Sequence, residues 1–271
     1  MCLILFALDA HPDDALLMAS NRDEFFHRPA SAAAWWPDAP DILGGRDLQA
    51  GGTWLGLRRD GRIAALTNYR EAPAQRKADA PTRGHLVSDC LHSPDAPEQH
   101  LHSLAEQLQG NNRHNGFSLL AGSAQGLWVL SNRAPRLQPQ AVPRGVHGLS
   151  NHLLNTPWHK VERGRAGLQA LVAAGPVALH ALLDLLDDTA PAPAQAIHAE
   201  AQADGAHDPA LTQRLSAMRL LGPHYGTRCS TALRISRSGH AELLERSWYA
   251  DGSKAEEVHH QWRLPQSPQS P

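Results

Sequence analysis

The residues best suited to chemistry stand at the front of the chain. Cys2 follows Met1 directly. Once the residue before it is removed, Cys2 carries a thiol and a free α-amine, so nucleophile and base share one residue. An unperturbed thiol titrates near about 8.5 and an α-amine near about 7.7–8.0, which lets the proton pass between them around neutral pH. A second apolar run, residues 15–20, ends in Asn21, Arg22, Asp23 and Glu24. Four polar groups closing an apolar strand are costly to bury without a use. The pattern recurs where residues 63–67 end in Asn68, Tyr69 and Arg70, and where residues 148–150 lead to Asn151. Taken alone, a free cysteine packs as a small hydrophobe, Asn68 is an ordinary turn residue, and the conjunction is what raises Cys2 to a candidate nucleophile.

These groups need elements to hold them. Residues 2–8 and 15–24, joined by a polar turn containing Pro12, read as a hairpin buried on both faces. Residues 53–59 and 62–68 flank Asp60 and Gly61, a strong hairpin signal. Further strand pairs are predicted at 117–121 with 127–131, and at 227–237 with 240–249. Residues 25–37, carrying Trp35 and Trp36, read as a loop, and the five glycines of residues 43–56 read as tight turns. That glycine-rich stretch lacks the Lys-Ser/Thr ending of a phosphate loop.

Leu101, Leu104, Ala105 and Leu108 have helical spacing behind a candidate capping box, Asp95 to Glu98. Two more helices are predicted, one over 158–174 and one opened by Pro176. Residues 190–209, rich in Ala, Pro, Gln and Asp, read as a mobile surface loop, and 265–271 as a disordered tail. Hairpins outnumber strand-helix-strand units, which favours α+β architecture with antiparallel sheets and segregated helices, in a single domain over 1–264.

Bulk properties exclude several functions. A net charge of -2 and a pI near 6.8 supply no basic face for a phosphate backbone, so no nucleic-acid partner is expected. The three cysteines, at 2, 90 and 229, do not form a disulfide framework, which fits a reducing, cytoplasmic setting. The apolar opening is too short for a secretory signal or a membrane span. The 17 histidines are scattered, and no metal site is expected.

Particular motifs carry a family resemblance. The run SNRDEFFHRP at 20–29 resembles the NRDE family, also called the transport and Golgi organisation protein 2 family. The likeness continues through GGRD at 44–47, GGTWLG at 51–56, LTNYR at 66–70, RGHL at 83–86, GLSN at 148–151, TPW at 156–158 and YGTR at 225–228. The family in turn resembles N-terminal-nucleophile hydrolases, which implies an αββα sandwich of two antiparallel sheets between helical layers. By that resemblance Cys2 matches the nucleophile, Asp23 the aspartate ending the second strand, Asn68 the oxyanion amide, Asn151 a second active-site asparagine and Arg228 an arginine beside the thiol. Asn21, Arg22 and Tyr69 are the candidate substrate-binding residues, although Arg22 neighbours Asp23 and is expected to face the other way.

Three functions follow. The first is hydrolysis of a small amide or acyl compound through a thioester on Cys2, with no cofactor. The second, implied by the resemblance, is non-catalytic binding or trafficking of haem or an acyl lipid. The third starts from His11, Pro12, Asp13 and Asp14, which resemble the opening of zinc-dependent deacetylases; Ala15 stands where that motif continues with Glu, and the expected state is an exposed turn without zinc.

Overall fold

A computed structural model of the chain describes residues 2–197 and 208–265. Strands β1 (Cys2–Leu8), β2 (Asp14–Phe25), β10 (Gly145–Leu149), β11 (Tyr225–Ser236), β12 (His240–Trp248) and β13 (Lys254–Arg263) form one sheet in the order β10-β1-β2-β11-β12-β13. The second sheet runs β3 (Ala30–Trp36), β4 (Ala39–Asp47), β5 (Leu55–Arg58), β6 (Ile63–Asn68), β7 (Phe117–Ser123), β8 (Gly126–Ser131) and β9 (Gln140–Ala141), in sequence order. Every strand pair is antiparallel.

Strand alternation sorts the apolar side chains into three layers. Ile4, Phe6, Leu16, Met18, Leu233 and Leu243 meet Leu43, Leu57, Ile63 and Leu120 between the sheets. Leu3, Leu5, Leu17 and Ala19 point the other way, onto helices α3 (His159–Ala174) and α4 (Leu179–Leu186). On the far side of the second sheet, Ala64, Leu66 and Leu119 pack against α1 (Gly84–His92) and α2 (Pro97–Gly110). The helical stripes are those of the sequence, since α4 buries Leu179, Leu182, Leu183 and Leu186. The result is the expected αββα order.

The structure corrects several local expectations. Residues 30–36 are strand β3 and not loop, and Gly44 and Gly45 lie inside strand β4. Gly45 is required by close approach: a Cβ there would stand 2.4 Å from the Trp54 ring. Helix α2 has Ala96 at its N-cap and no side-chain cap, so no capping box forms, and α4 begins at Leu179 and not at Pro176. Of the loop predicted over 190–209, residues 198–207 lie outside the described residues. Ala192 is buried and bonded through its N–H to Ser216 and through its carbonyl to Gln213, so that part of the segment is tied down. Of the predicted tail only Pro265 is described.

The first turn is exposed at Pro12 and Asp13, but not at His11 and Asp14 as expected. His11 and Asp14 are buried. His11 Nε2 donates to the Gly175 carbonyl at 3.1 Å, while Nδ1 accepts from the Asp13 and Asp14 main-chain N–H groups and lies 3.0 Å from the Asp14 carboxyl. The imidazole therefore acts as a plug holding the turn to the end of α3. Among the described residues no three His, Cys, Asp or Glu side chains gather as a metal would require.

Candidate active site

The sheet register decides which polar groups share a face with Cys2. Cys2 is paired with Arg22 across β1 and β2, and directly opposed residues hold their Cβ atoms about 4.5–5.5 Å apart on one face. Ile4, Met18 and Phe6 assign that face to the layer between the sheets. Arg22 therefore sits beside the thiol, and the sequence expectation that it would face away is corrected. Its guanidinium stacks on Trp54, in the bend just before β5 of the second sheet, 4.2 Å from the ring centroid. Nη1 is buried without a hydrogen-bond partner.

The same alternation turns Asn21 and Asp23 toward the helices. Asn21 Nδ2 donates to the carbonyls of Leu186 and Met218, at 3.1 and 2.8 Å, and its Oδ1 accepts from Ser230. These bonds tie β2 to its neighbours and turn the Asn21 side chain, predicted to bind substrate, away from the face that carries Cys2. Asp23 is buried as well, and Thr227 donates to its Oδ1 at 2.6 Å. Burial raises its pKa above the ordinary carboxyl range, against the opposing charge of Lys160 from α3. The main-chain N–H of Asp23 is directed at the sulfur of Cys2.

The Cys2 thiol is pushed up by burial, and the Asp23 carboxylate adds to this while Arg22 pulls it down. Arg22 and not Arg228 is the cation against the sulfur. A bulge between Thr227 and Cys229 throws Arg228 out of the ladder. There its Nη1 donates to the carbonyls of Phe25, Phe26 and Arg28, at 2.8–3.2 Å, bracing the turn after β2. Cys229 takes the place opposite Arg22 on the other side. Two strand spacings of about 4.7–4.9 Å separate its Cα from that of Cys2, beyond disulfide reach.

The two asparagines beyond Asp23 meet through the backbone. Asn151, buried after β10, donates from Nδ2 to the Asn68 carbonyl at 2.8 Å, and its own carbonyl accepts from the Arg70 N–H at 2.8 Å. Beside it the Ser150 hydroxyl donates to the Cys2 carbonyl at 3.0 Å. Residues 150 and 151 thus clamp the nucleophile's strand to the end of β6. The Asn68 side chain is half-exposed at that end. Tyr69 turns its hydroxyl to His152 Nε2 at 2.6 Å, its ring stacked on the imidazole.

Several neighbours escaped the sequence reading. Lys160 is buried and its charge acts on Asp23. Glu245 is buried where it accepts from the Ala33 N–H and the Thr231 hydroxyl, bridging the sheets at 2.7 and 2.9 Å, and burial raises its pKa. Thr67, one residue before Asn68 and on the inter-sheet face with Ile63 and Ala65, has a buried hydroxyl without a partner. Thr67 and Arg83 did carry a signal, within the LTNYR and RGHL motifs; burial lowers the Arg83 pKa, and the charge of Cys2 reaches it.

The sequence model described as Transport and Golgi organisation 2 matches residues 1–250. The chain belongs to this family. The bovine Transport and Golgi organization protein 2 homolog is 36% identical over 97% of this chain and 99% of its own length. The human homolog is 33% identical over 91% and 93%, and the Drosophila melanogaster protein 33% identical over 64% and 66%. Among solved structures, the C2A mutant of conjugated bile acid hydrolase from Clostridium perfringens aligns over 100% of this chain and 99% of its own at 9% identity, with a TM-score of 0.42. A Caenorhabditis elegans ortholog of N-acylethanolamine-hydrolyzing acid amidase aligns over 69% and 86%, also at 9% identity, with a TM-score of 0.39. Among the described residues no helix is long and apolar enough to cross a membrane.

Proposed function

We propose that the family member described here, once it begins at Cys2, is an N-terminal cysteine amidohydrolase that cleaves small amides through a thioester. The observation that carries this reading is the register that sets Cys2 against Arg22 on one buried face, with the Asp23 N–H directed at the sulfur. The freed α-amine takes the thiol proton, and the thiolate attacks the amide carbon. The ammonium then gives that proton to the departing amine as the carbon–nitrogen bond breaks. Water, deprotonated by the same α-amine, attacks the thioester; the carboxylic acid leaves and the thiol is restored.

Each neighbour has a part. Arg22 supplies the positive charge that favours the thiolate over the thiol that burial would otherwise keep. Asp23 and Lys160 hold the amine end of the strand, and the Asn68 amide donates to the oxyanion, with Asn151 fixing the main chain that carries it. The test compares protein beginning at Cys2, verified by intact mass, with protein that keeps residues before it. On a panel of small N-acyl amides the processed form is expected to turn over and to show an acyl adduct on Cys2 after rapid quenching. Equal turnover by the extended form would defeat the amine-as-base mechanism.

A further inference from the structure

Arg22 and Thr67 come from facing sheets and carry the same anomaly. Arg22 is 5% exposed and Thr67 0%, yet Arg22 Nη1 and Thr67 Oγ1 are buried with no hydrogen-bond partner. A buried donor left unmet costs about 1–3 kcal/mol, and more for a charged group, so two of them beside one candidate nucleophile call for an explanation. Both face the layer between the sheets, at the end where Cys2 lies. Arg22 is in register with Cys2, and Trp54, the platform under its guanidinium, accepts through its carbonyl the N–H of Leu66, next to Thr67. The side-chain anions near Arg22 have other commitments: Glu245 is engaged by Ala33 and Thr231, and Asp23 faces the opposite side of the sheet.

We propose that Arg22 Nη1 and Thr67 Oγ1 bind a carboxylate of the substrate, so that the acyl part is a short dicarboxylic acid whose free carboxylate lies within one or two carbons of the carbonyl that Cys2 attacks. This rests on the amidohydrolase reading and specifies its substrate class. A cation with an unused N–H matches an anion that is charged in the ground state, and a hydroxyl beside it supplies a second donor. The short reach is part of the proposal and is motivated by the pairing, which sets Cys2 and Arg22 directly opposite each other on one face, with Cβ atoms about 4.5–5.5 Å apart.

The experiment needs no turnover. Iodoacetate and iodoacetamide alkylate a thiolate at equivalent carbons and differ in whether a carboxylate or a neutral amide sits one bond away. In processed protein, the rates at Cys2 are read by peptide mass to exclude Cys90 and Cys229. The ratio of the two rates cancels the fraction of thiolate, so it reports the anion site and not the acidity of the sulfur. The ratio of iodoacetate to iodoacetamide is expected to exceed that of free cysteine by about tenfold or more, the effect of a charge-assisted hydrogen bond. It should fall toward the free-cysteine value in Arg22→Gln and drop several-fold in Thr67→Val, which keeps the side-chain shape, while Thr67→Ser retains it.

A wild-type ratio equal to that of free cysteine overturns the proposal. So does a ratio that Thr67→Val leaves unchanged, or a Cys2 that neither reagent labels while unfolded protein is labelled. If the ratio is high and no amide is hydrolysed, the carboxylate site stands and the hydrolase reading falls. If neutral amides are hydrolysed at an unremarkable ratio, the reverse holds.

Discussion

The first sheet has two ends, and they treat polar groups in opposite ways. At the end formed by the turns after β1 and β11, a shallow cavity of about 470 Å³ is lined by Asp14, Arg234, Arg237, His240 and Glu242 among others. Its charges are answered internally: Arg234 donates to Glu242 at 2.7 Å, and Arg237 binds Asp9 and the carbonyls of His11 and Pro12. At the Cys2 end, Arg22 and Thr67 keep buried donors unmet. One end answers its charges within the fold, and the other leaves two buried donors without a partner, as the proposed carboxylate site requires. A cavity full of charge is thus a poorer guide to function here than a small sealed region with unspent donors.

The largest expected effect that sharpens this contrast is at Asn68. Asn68→Ala should lower kcat on an amide substrate by about 100- to 1000-fold with little change in KM, because an oxyanion donor acts on charge that develops in the transition state. Steady-state kinetics with a thermal melt separates this from misfolding, and an equal loss in binding would assign Asn68 to general pocket contact.

A smaller effect is expected at Glu245, which bridges the sheets near the reactive end. Its folded pKa lies above the ordinary carboxyl value of 4.5, so the folded state holds its proton more tightly than the unfolded chain does. That contribution to stability is full below about pH 4.5 and is lost as pH rises through the folded pKa. Glu245→Gln, which keeps an acceptor for Ala33 and cannot ionise, should gain in melting temperature over the wild type as pH is raised from 4.5. A gap that stays constant with pH would show that burial does not control this carboxyl.

The smallest effect belongs to the closed end. Arg237 is exposed and its contacts are with turn carbonyls and Asp9. Arg237→Ala should cost about 1 kcal/mol or less, read by denaturant midpoint, and leave the alkylation ratio at Cys2 unchanged. A shift in that ratio would mean that the two ends are coupled and would end the contrast.

How far the sequence could be read depended on whether a feature was local. The β1–β2 and β5–β6 hairpins, the leucine stripe of α4 and the polar closure of β2 were legible because periodicity and turn residues lie within a few positions of one another. Strand β3 was not, since its Ala-rich sequence lacks the branched residues that mark a strand, and it is held instead by Glu245 from the other sheet. The site failed at register. Whether Asn21 or Arg22 shares a face with Cys2 depends on the pairing across the β1–β2 turn, and a one-residue slip exchanges them. Arg228 was misplaced for a similar reason, because a bulge breaks the alternation just before Cys229. Lys160 and Glu245 reach the site from distant segments and carry no local mark, and Trp54, though inside the GGTWLG motif, gave no sign that it lies under Arg22.

The seating of Cys2 has a consequence for timing. Its carbonyl is held by Ser150, its strand lies between β10 and β2, and the residue is buried. A peptidase must draw the bond it cuts into its own active site, and the pairing that seats Cys2 opposes that once the sheet has closed. On the amidohydrolase proposal, trimming and folding would compete for the same few residues. β10 and Ser150 after it arrive about 150 residues later in synthesis, and at about 5–20 residues per second that delay amounts to roughly 8–30 seconds. The fraction of molecules armed for catalysis would be set in that interval, by how quickly the terminus is trimmed, and no later change in the folded protein would add to it.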